Sequence, residues 1–393
     1  MKNTFKKSIC YFARTNFRED RRLFGIQDAS RLHHCYILGR SGAGKSSLLL
    51  TKIIQDLKNH NGLCLIDFHG DLVNQVIKAI PKDRLKDVVY LDATNPKLQL
   101  GYNPLKKVSY EKRPLVVSNI LEVFQKLWGS QSWGVKLSHV LRNVLLLLLD
   151  QPKTSLSQII HVLQDDAFRN ECLKNVQNPE VKNFFEKEFK NYTQKGDLLP
   201  IYNKLGGLLS YPALKRILVT NTEQISLRNI MDQGHIFLVN IPKGHLGNDA
   251  ASILGSLLVT SIASAAFSRI DLPPTERKAF YVYLDEFQSV STLTMVDMLS
   301  ELRKFKLGLV MAHQYMSQLD PKIRDAVLSN VGTLIAFRTS LSDAKFLEKE
   351  FAPIFKANDF VNLPNYHIYL KLFIDGAPSR AFSANTLLPQ EIQ

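Results

Sequence analysis

Apolar residues along this chain fall into two rhythms. One is the short run closed by turn residues: HCYIL at 34–38, LCLIDF at 63–68 between Gly62 and Gly70, and DVVYLD at 87–92 before TNPKLQLGYNP. Such runs are too short for helices and are bounded by helix breakers, so each predicts a strand. Between them lie longer segments with 3.6-residue periodicity, the first starting at Lys45. Strand–loop–helix–strand–helix–strand from Leu32 to Leu105 argues for parallel strands joined by crossover helices, an α/β fold.

The rhythm changes between about Val108 and Arg228. LVVSNILEVFQKLW, VKLSHVLRNVLLLLL, LSQIIHVL, VKNFFEKEFKNY and LLPIYNKLGGLL all carry helical periodicity and few strand formers. Alternation then resumes with HIFLVNI, a Ser-rich helix, AFYVYLDEF, a helix through Leu302, LGLVMAHQ, IRDAVLSNV and TLIAFRT. The tail HIYLKLFIDGAPSRAFS alternates about Asp375-Gly376, a hairpin signal. The pattern divides the chain into a basic arm and lead-in (1–30), a nucleotide-binding core (31–107 and 229–393) and an all-helical insertion (108–228).

Two apolar stretches bear on membranes. VLLLLL at 144–149 is far shorter than the roughly 20 residues a spanning helix needs. The longer one, 251–267, carries Ser252, Gly255, Ser256, Thr260 and Ser264 on one stripe, which predicts a helix buried between packed layers. No transmembrane segment is expected.

Charge narrows the partners. Lys and Arg number 50 against 36 Asp and Glu, a net +14 that favours polyanions, although such an excess also serves solubility alone. Lys2, Lys6, Lys7, Arg14, Arg18, Arg21 and Arg22 crowd the N-terminus against Glu19 and Asp20. The four cysteines show no C-x-x-C spacing, so neither a disulfide framework nor a zinc site is implied, and a reducing, cytoplasmic setting fits.

The chemistry concentrates at strand ends. Gly39-Arg40-Ser41-Gly42-Ala43-Gly44-Lys45-Ser46 matches G-x-x-x-x-G-K-[ST] between a strand and a helix, with Ser47 next. Its glycines let backbone N–H groups turn inward around phosphate oxygens, and the helix N-terminus adds positive potential. Lys45 would reach the β- and γ-phosphates of ATP, and Ser46 would ligate Mg²⁺. The strand FYVYL supplies the partner acid, Asp285, for the metal, and Glu286 to polarise the attacking water. An adjacent glutamate points to hydrolysis rather than kinase chemistry. Gln314, closing the strand LGLVMAH, would sense the γ-phosphate or orient water. Asp67, His69 and Asp71 in IDFHGDL are spaced like metal ligands, yet three ligands two apart must all leave strand geometry. Shaping the nucleotide pocket is the favoured role.

GRSGAGKS, LIDFHGDL, YNPL, FLVNIPKGHLG, YLDEFQ, MAHQYMSQL and FRTSLSDAKFLEKEF, in that order, resemble the HerA/FtsK-type motor ATPases. The chain looks closest to the TraG/TraD-like coupling proteins of type IV secretion and conjugation. The resemblance implies a RecA-like P-loop NTPase core with an inserted all-α domain, and head-to-tail hexamers passing DNA through a central channel. It implies an arginine supplied across the subunit boundary, which points to Arg303, with Arg338 as the second candidate. Lys243 and the basic arm are candidates for DNA contact. Family members usually begin with transmembrane helices, so the expectation here is a cytoplasmic protein, or one held at the inner membrane by secretion-system or relaxosome-like partners. Alternatives are a HerA-like helicase or genome-packaging motor, and a protein-assembly ATPase that never touches DNA.

Overall fold

In the computed structural model, residues 9–17, 20–129, 133–220, 223–374 and 376–392 are described. Strands β1 (Ile9–Thr15), β2 (Leu23–Gln27), β3 (Cys35–Leu38), β4 (Gly62–Asp67), β5 (Val88–Asp92), β6 (Ile236–Asn240), β7 (Phe280–Leu284), β8 (Leu307–His313), β9 (Thr333–Ala336), β10 (His367–Lys371) and β11 (Phe382–Thr386) form one sheet. Its eleven strands run in the order β2-β1-β11-β10-β9-β3-β8-β7-β4-β6-β5.

From β9 through β3, β8, β7 and β4 to β6, neighbours pair in parallel. Every residue of these six strands is buried. That is why their sequences read as unbroken apolar runs: a parallel strand covered on both faces has no polar side to show. β10, β11, β1 and β2 pair antiparallel. β10 accordingly alternates buried with half-buried positions. The tail strands pair as a hairpin, extended by a short ladder of Phe373–Ile374 with Ala377–Pro378; Asp375 lies outside the described residues.

The N-terminal arm needs correcting. Residues 9–17 and 20–27 are not an arm: β1 and β2 pair antiparallel at the sheet edge, and β1 pairs with β11 from the far end of the chain. Phe12 and Ala13 are buried in the main core. Lys2, Lys6, Lys7, Arg18 and Glu19 lie outside the described residues.

Two compact units emerge from the contacts. The first comprises the chain to Leu91, Leu227–Asn240 and Ala265–Gln393. Within it the helix Lys45–Lys58 is pinned at its far end, where buried Asp56 accepts two hydrogen bonds from Arg31, both 2.7 Å. Tyr283 of β7 donates to the same carboxylate at 2.5 Å. A buried network of this kind fixes the helix against β7, whatever its net stability.

The second unit is Asp92–Ser226 with Ile241–Ser264. Its helices Arg113–Trp128, Val135–Leu149, Gln158–Gln164 and Leu199–Ser210 fall on the periodic segments, and Asp166–Lys174 is a helix that none of those segments covers. The unit starts earlier than 108 and takes in most of the helix Asn248–Phe267. Tyr102 shows the reason: its hydroxyl donates to the Leu257 carbonyl at 2.8 Å and meets Ser261 Oγ at 2.5 Å. Periodicity cannot register an irregular segment that packs on a helix far along the chain. The small-residue stripe lets neighbours approach this helix; Asn119 reaches Ser264 Oγ at 3.1 Å, while Thr260 and Ser264 hydroxyls fold back onto helix carbonyls. Among the described residues, one helix, Asn248–Asp271, is long and apolar enough to cross a membrane, and 78% of its most apolar window is buried in protein.

Candidate active site

The glycine loop connects β3 to the helix Lys45–Lys58 and is stitched to both neighbouring strand ends. Gly39 N–H donates to the His313 carbonyl at the end of β8 at 3.2 Å, and Arg40 N–H to the Arg338 carbonyl after β9 at 2.8 Å. Gly42 and Gly44 have φ of +73° and +121°, backbone that side chains with a Cβ rarely adopt. At Gly44 space is short as well: a Cβ would stand 3.0 Å from the Tyr366 ring and 3.1 Å from that of Phe337. Arg40, Ser41 and Ser46 are exposed, Ser47 is half-buried and Ala43 is buried. Lys45 is buried, and its Nζ donates to the Gly39 and Arg40 carbonyls at 2.7 and 3.0 Å. Burial lowers its pKa, while Asp285 and Glu286 pull it back up.

β7 delivers the acids at its C-terminal end. Asp285 is buried; its Oδ2 accepts from Ser46 Oγ at 3.3 Å and its Oδ1 from the Glu286 N–H at 3.1 Å. Burial, then Asp67 and Glu286, raise its pKa; Lys45 and His69 oppose. Two hard oxygens side by side, one from an exposed hydroxyl and one from a carboxylate, fit Mg²⁺, which takes few protein ligands and keeps several waters. The residues present therefore suit the ion.

Glu286 has φ 60° and ψ 51°, the left-handed region, at a cost of about 1–3 kcal/mol for a residue with a Cβ. That turn lifts the carboxylate out of the strand line. Gln314 Nε2 donates to its Oε1 at 2.5 Å, Gln288 Nε2 donates to its Oε2, and His69 Nε2 lies 3.7 Å from Oε1. β8 runs between β3 and β7, so Gln314, Gly39 and Asp285 leave three adjacent parallel strands at the same edge. Ligand sites of parallel sheets form at such carboxyl ends.

Asp67 and its neighbours separate by role. Asp67 is fully buried and accepts from the His69 and Val73 N–H groups at 2.8 and 2.9 Å. It anchors the helix Asp71–Ala79, whose first residue is exposed. His69 joins Ser41, Ser46, Glu286 and Gln314 in lining the cavity over the loop.

The arginines sit at opposite edges. Arg303 is exposed in the single turn Leu302–Phe305 that precedes β8, Nη1 3.3 Å from His33 Nδ1. β8 carries the chain seven residues to Gln314's edge, roughly 20 Å at strand rise. Arg303 is therefore remote from its own chain's pocket. Arg338 lies beside its own loop and donates to Asn365 Oδ1 at 2.9 Å. Lys243 belongs to the second unit, in the short helix Lys243–Leu246.

Sequence reasoning missed Tyr366, which lines the cavity and lies on Gly44. Its φ of +64° left no trace in the sequence beyond the turn-forming Pro364-Asn365 before it.

The profile of the type IV secretion-system coupling protein DNA-binding domain matches residues 25–352. Among solved structures, the plasmid coupling protein TrwB with a non-hydrolysable ATP analogue superposes at a TM-score of 0.69 and 15% identity, covering 98% of this chain and 96% of that one. TrwB with ADP and Mg²⁺ gives 0.66 and 16%, covering 97% and 95%. VirB4 of Thermoanaerobacter pseudethanolicus gives 0.66 and 12%, covering 99% of both chains. At these identities the likeness shows a shared fold. A search of curated protein sequences finds no match.

Proposed function

The chain belongs to the type IV secretion-system coupling protein family, and from that premise we propose that it is an ATP hydrolase that drives DNA through a head-to-tail ring, most simply a hexamer. One observation carries the catalytic part: the Glu286 carboxylate, turned out of β7 and held by Gln314, stands beside the Ser46–Asp285 oxygen pair at the mouth of the glycine loop. A phosphate-binding loop alone would serve any nucleotide-dependent protein; a poised carboxylate next to it serves attack by water.

Backbone N–H groups of the loop beyond Arg40 would cradle the polyphosphate, and Lys45 would leave the Gly39 and Arg40 carbonyls for phosphate oxygens. Ser46 and Asp285 would hold Mg²⁺, which neutralises developing phosphate charge when bound. Glu286 would orient a water and accept its proton, while Gln314 relates the occupant's state to the carboxylate it grips. Arg303, remote from its own pocket, would serve the next protomer's, whereas Arg338 stands at its own loop. The excess of 14 positive charges suits a DNA backbone. Work in the cytoplasm, or at the inner membrane through secretion-system partners, fits this role.

ATPase rate measured with single-stranded DNA, duplex DNA and none tests the proposal. DNA should stimulate hydrolysis in the wild type, with binding that weakens steeply as salt rises, and Lys45→Ala should abolish the activity. A robust rate indifferent to DNA, with no DNA binding at low salt, would overturn the DNA-motor reading in favour of protein assembly.

A further inference from the structure

The cavity over the glycine loop adjoins a second, polar groove, and Tyr366 is the residue that lines both. The groove is bordered by Arg14, Asn16, Asn365, Asn385 and Glu391. Its polar groups are largely engaged with one another or nearby. Arg14 pairs with Glu391 at 3.2 Å, Asn16 donates to Asn385 at 2.8 Å, and Asn365 accepts from Arg338 at 2.9 Å. A ligand entering from the loop side meets an aromatic ring first.

That ring is firmly placed. Tyr366 N–H donates to the Ala43 carbonyl of the loop at 3.0 Å, and its carbonyl accepts from Thr386 N–H at 2.8 Å. Thr386 Oγ1 adds a bond to the same carbonyl at 3.2 Å. These contacts hold the residue at φ +64° with its ring on Gly44, and 42% of the residue remains exposed. A strained, over-determined residue bordering a site is where function is to be sought.

Sheet order gives the direction. Asp285 and Glu286 leave β7, two strands to one side of β3; Tyr366 enters β10, two strands to the other. A polyphosphate lying across the loop with its reacting end at the acids sends its other end toward Tyr366. We propose that Tyr366 is the nucleoside-binding residue: the base of the nucleotide stacks on its ring and extends into the neighbouring groove. This assignment rests on the reading of the loop as a nucleoside triphosphate site.

Binding of Mg·ATP and of inorganic tripolyphosphate, which lacks a nucleoside, is measured by calorimetry on the full chain. Tyr366→Leu removes the ring but keeps bulk over Gly44, and Tyr366→Asn removes it in a residue that tolerates positive φ. Both should weaken ATP about 5- to 150-fold, the range for losing one base–aromatic stack, and leave tripolyphosphate within about twofold. Tyr366→Phe should bind ATP far more tightly than either. Equal losses for both probes would mean the ring only shapes the loop, and undiminished ATP affinity would mean the base lies elsewhere; either result overturns the assignment. Wild-type protein that binds neither probe would overturn the nucleotide reading itself, and the stacking assignment with it.

Discussion

His34 holds no charge at neutral pH, and its surroundings say why. It is buried, its Nδ1 accepts from the Leu309 N–H and its Nε2 meets the Leu299 carbonyl, both at 3.0 Å. Burial pushes its pKa down to about 4, with the Leu299 carbonyl opposing. His313, bonded to the Tyr36 hydroxyl at 2.8 Å, is also pushed down to about 4, again chiefly by burial. A folded-state pKa below the ordinary histidine value means the unfolded chain takes up protons that the folded one refuses. The stability so contributed is whole above about pH 6.5 and drains as pH falls toward 4. Each histidine should give a slope of about 1.4 kcal/mol per pH unit in that window. In urea unfolding these two histidines should add no slope above about pH 6.5 and approach two protons' worth toward pH 5, and His34→Gln should remove about one. A slope unchanged by the substitution would refute the neutral buried imidazole. None of this was legible in HHCYIL, where the pair looks like the polar lead-in to a strand. Lys45, Ser46, Asp285 and Glu286 were legible because their chemistry depends on neighbours close in sequence. Tyr366 was not, since its partners Ala43 and Thr386 lie far away along the chain.

Elements follow the same division. The six buried parallel strands announce themselves because burial on both faces writes an unbroken apolar run. β1 and β2 do not: Ala13-Arg14-Thr15 pairs with the other end of the chain, and the basic residues around it disguise the segment as an arm. The segment FRTSLSDAKFLEKEF illustrates how a recognisable motif can owe its form to folding. Ser340 caps the helix Leu341–Phe351, its Oγ accepting from the Asp343 N–H at 3.2 Å. Buried Asp343 in turn accepts from Ser340 Oγ at 3.0 Å, Thr339 Oγ1 at 3.3 Å and the Met316 N–H at 3.3 Å. Through Met316, two residues beyond Gln314, the cap also ties down the loop that leaves β8. Asp343→Ala would strand a buried N–H and loosen the cap, costing about 2–3 kcal/mol. The thermal midpoint should fall by several degrees, and Asp343→Asn, which keeps an acceptor, should recover part of it. A midpoint equal to wild type would show that the network is dispensable.

At the scale of the whole molecule, the proposed motor would complete each pocket with a residue of the next subunit. A single chain's pocket gathers a lysine, a metal-holding pair, a water-directing carboxylate and a glutamine, while Arg303 stands at the far edge of the same sheet. The proposed head-to-tail packing would bring one subunit's far edge to another's near edge, and such heterologous contacts close into a ring when the rotation between subunits closes. The consequence is testable without seeing the ring. Glu286→Gln should bind ATP and hydrolyse it at least about 100-fold more slowly. Arg303→Ala should fold, bind ATP and be comparably inactive. Mixed in equal amounts under conditions that allow subunits to exchange, the two dead proteins should regain activity. A boundary formed by an Arg303→Ala pocket and the arginine of a Glu286→Gln neighbour has every group it needs. Random assembly makes about one boundary in four of this kind, so independent sites would restore up to about a quarter of the wild-type rate. Coupled firing around the ring would restore less, but still more than the sum of the two proteins alone. Were Arg303 to act only within its own chain, each pocket in the mixture would remain defective and no activity would return.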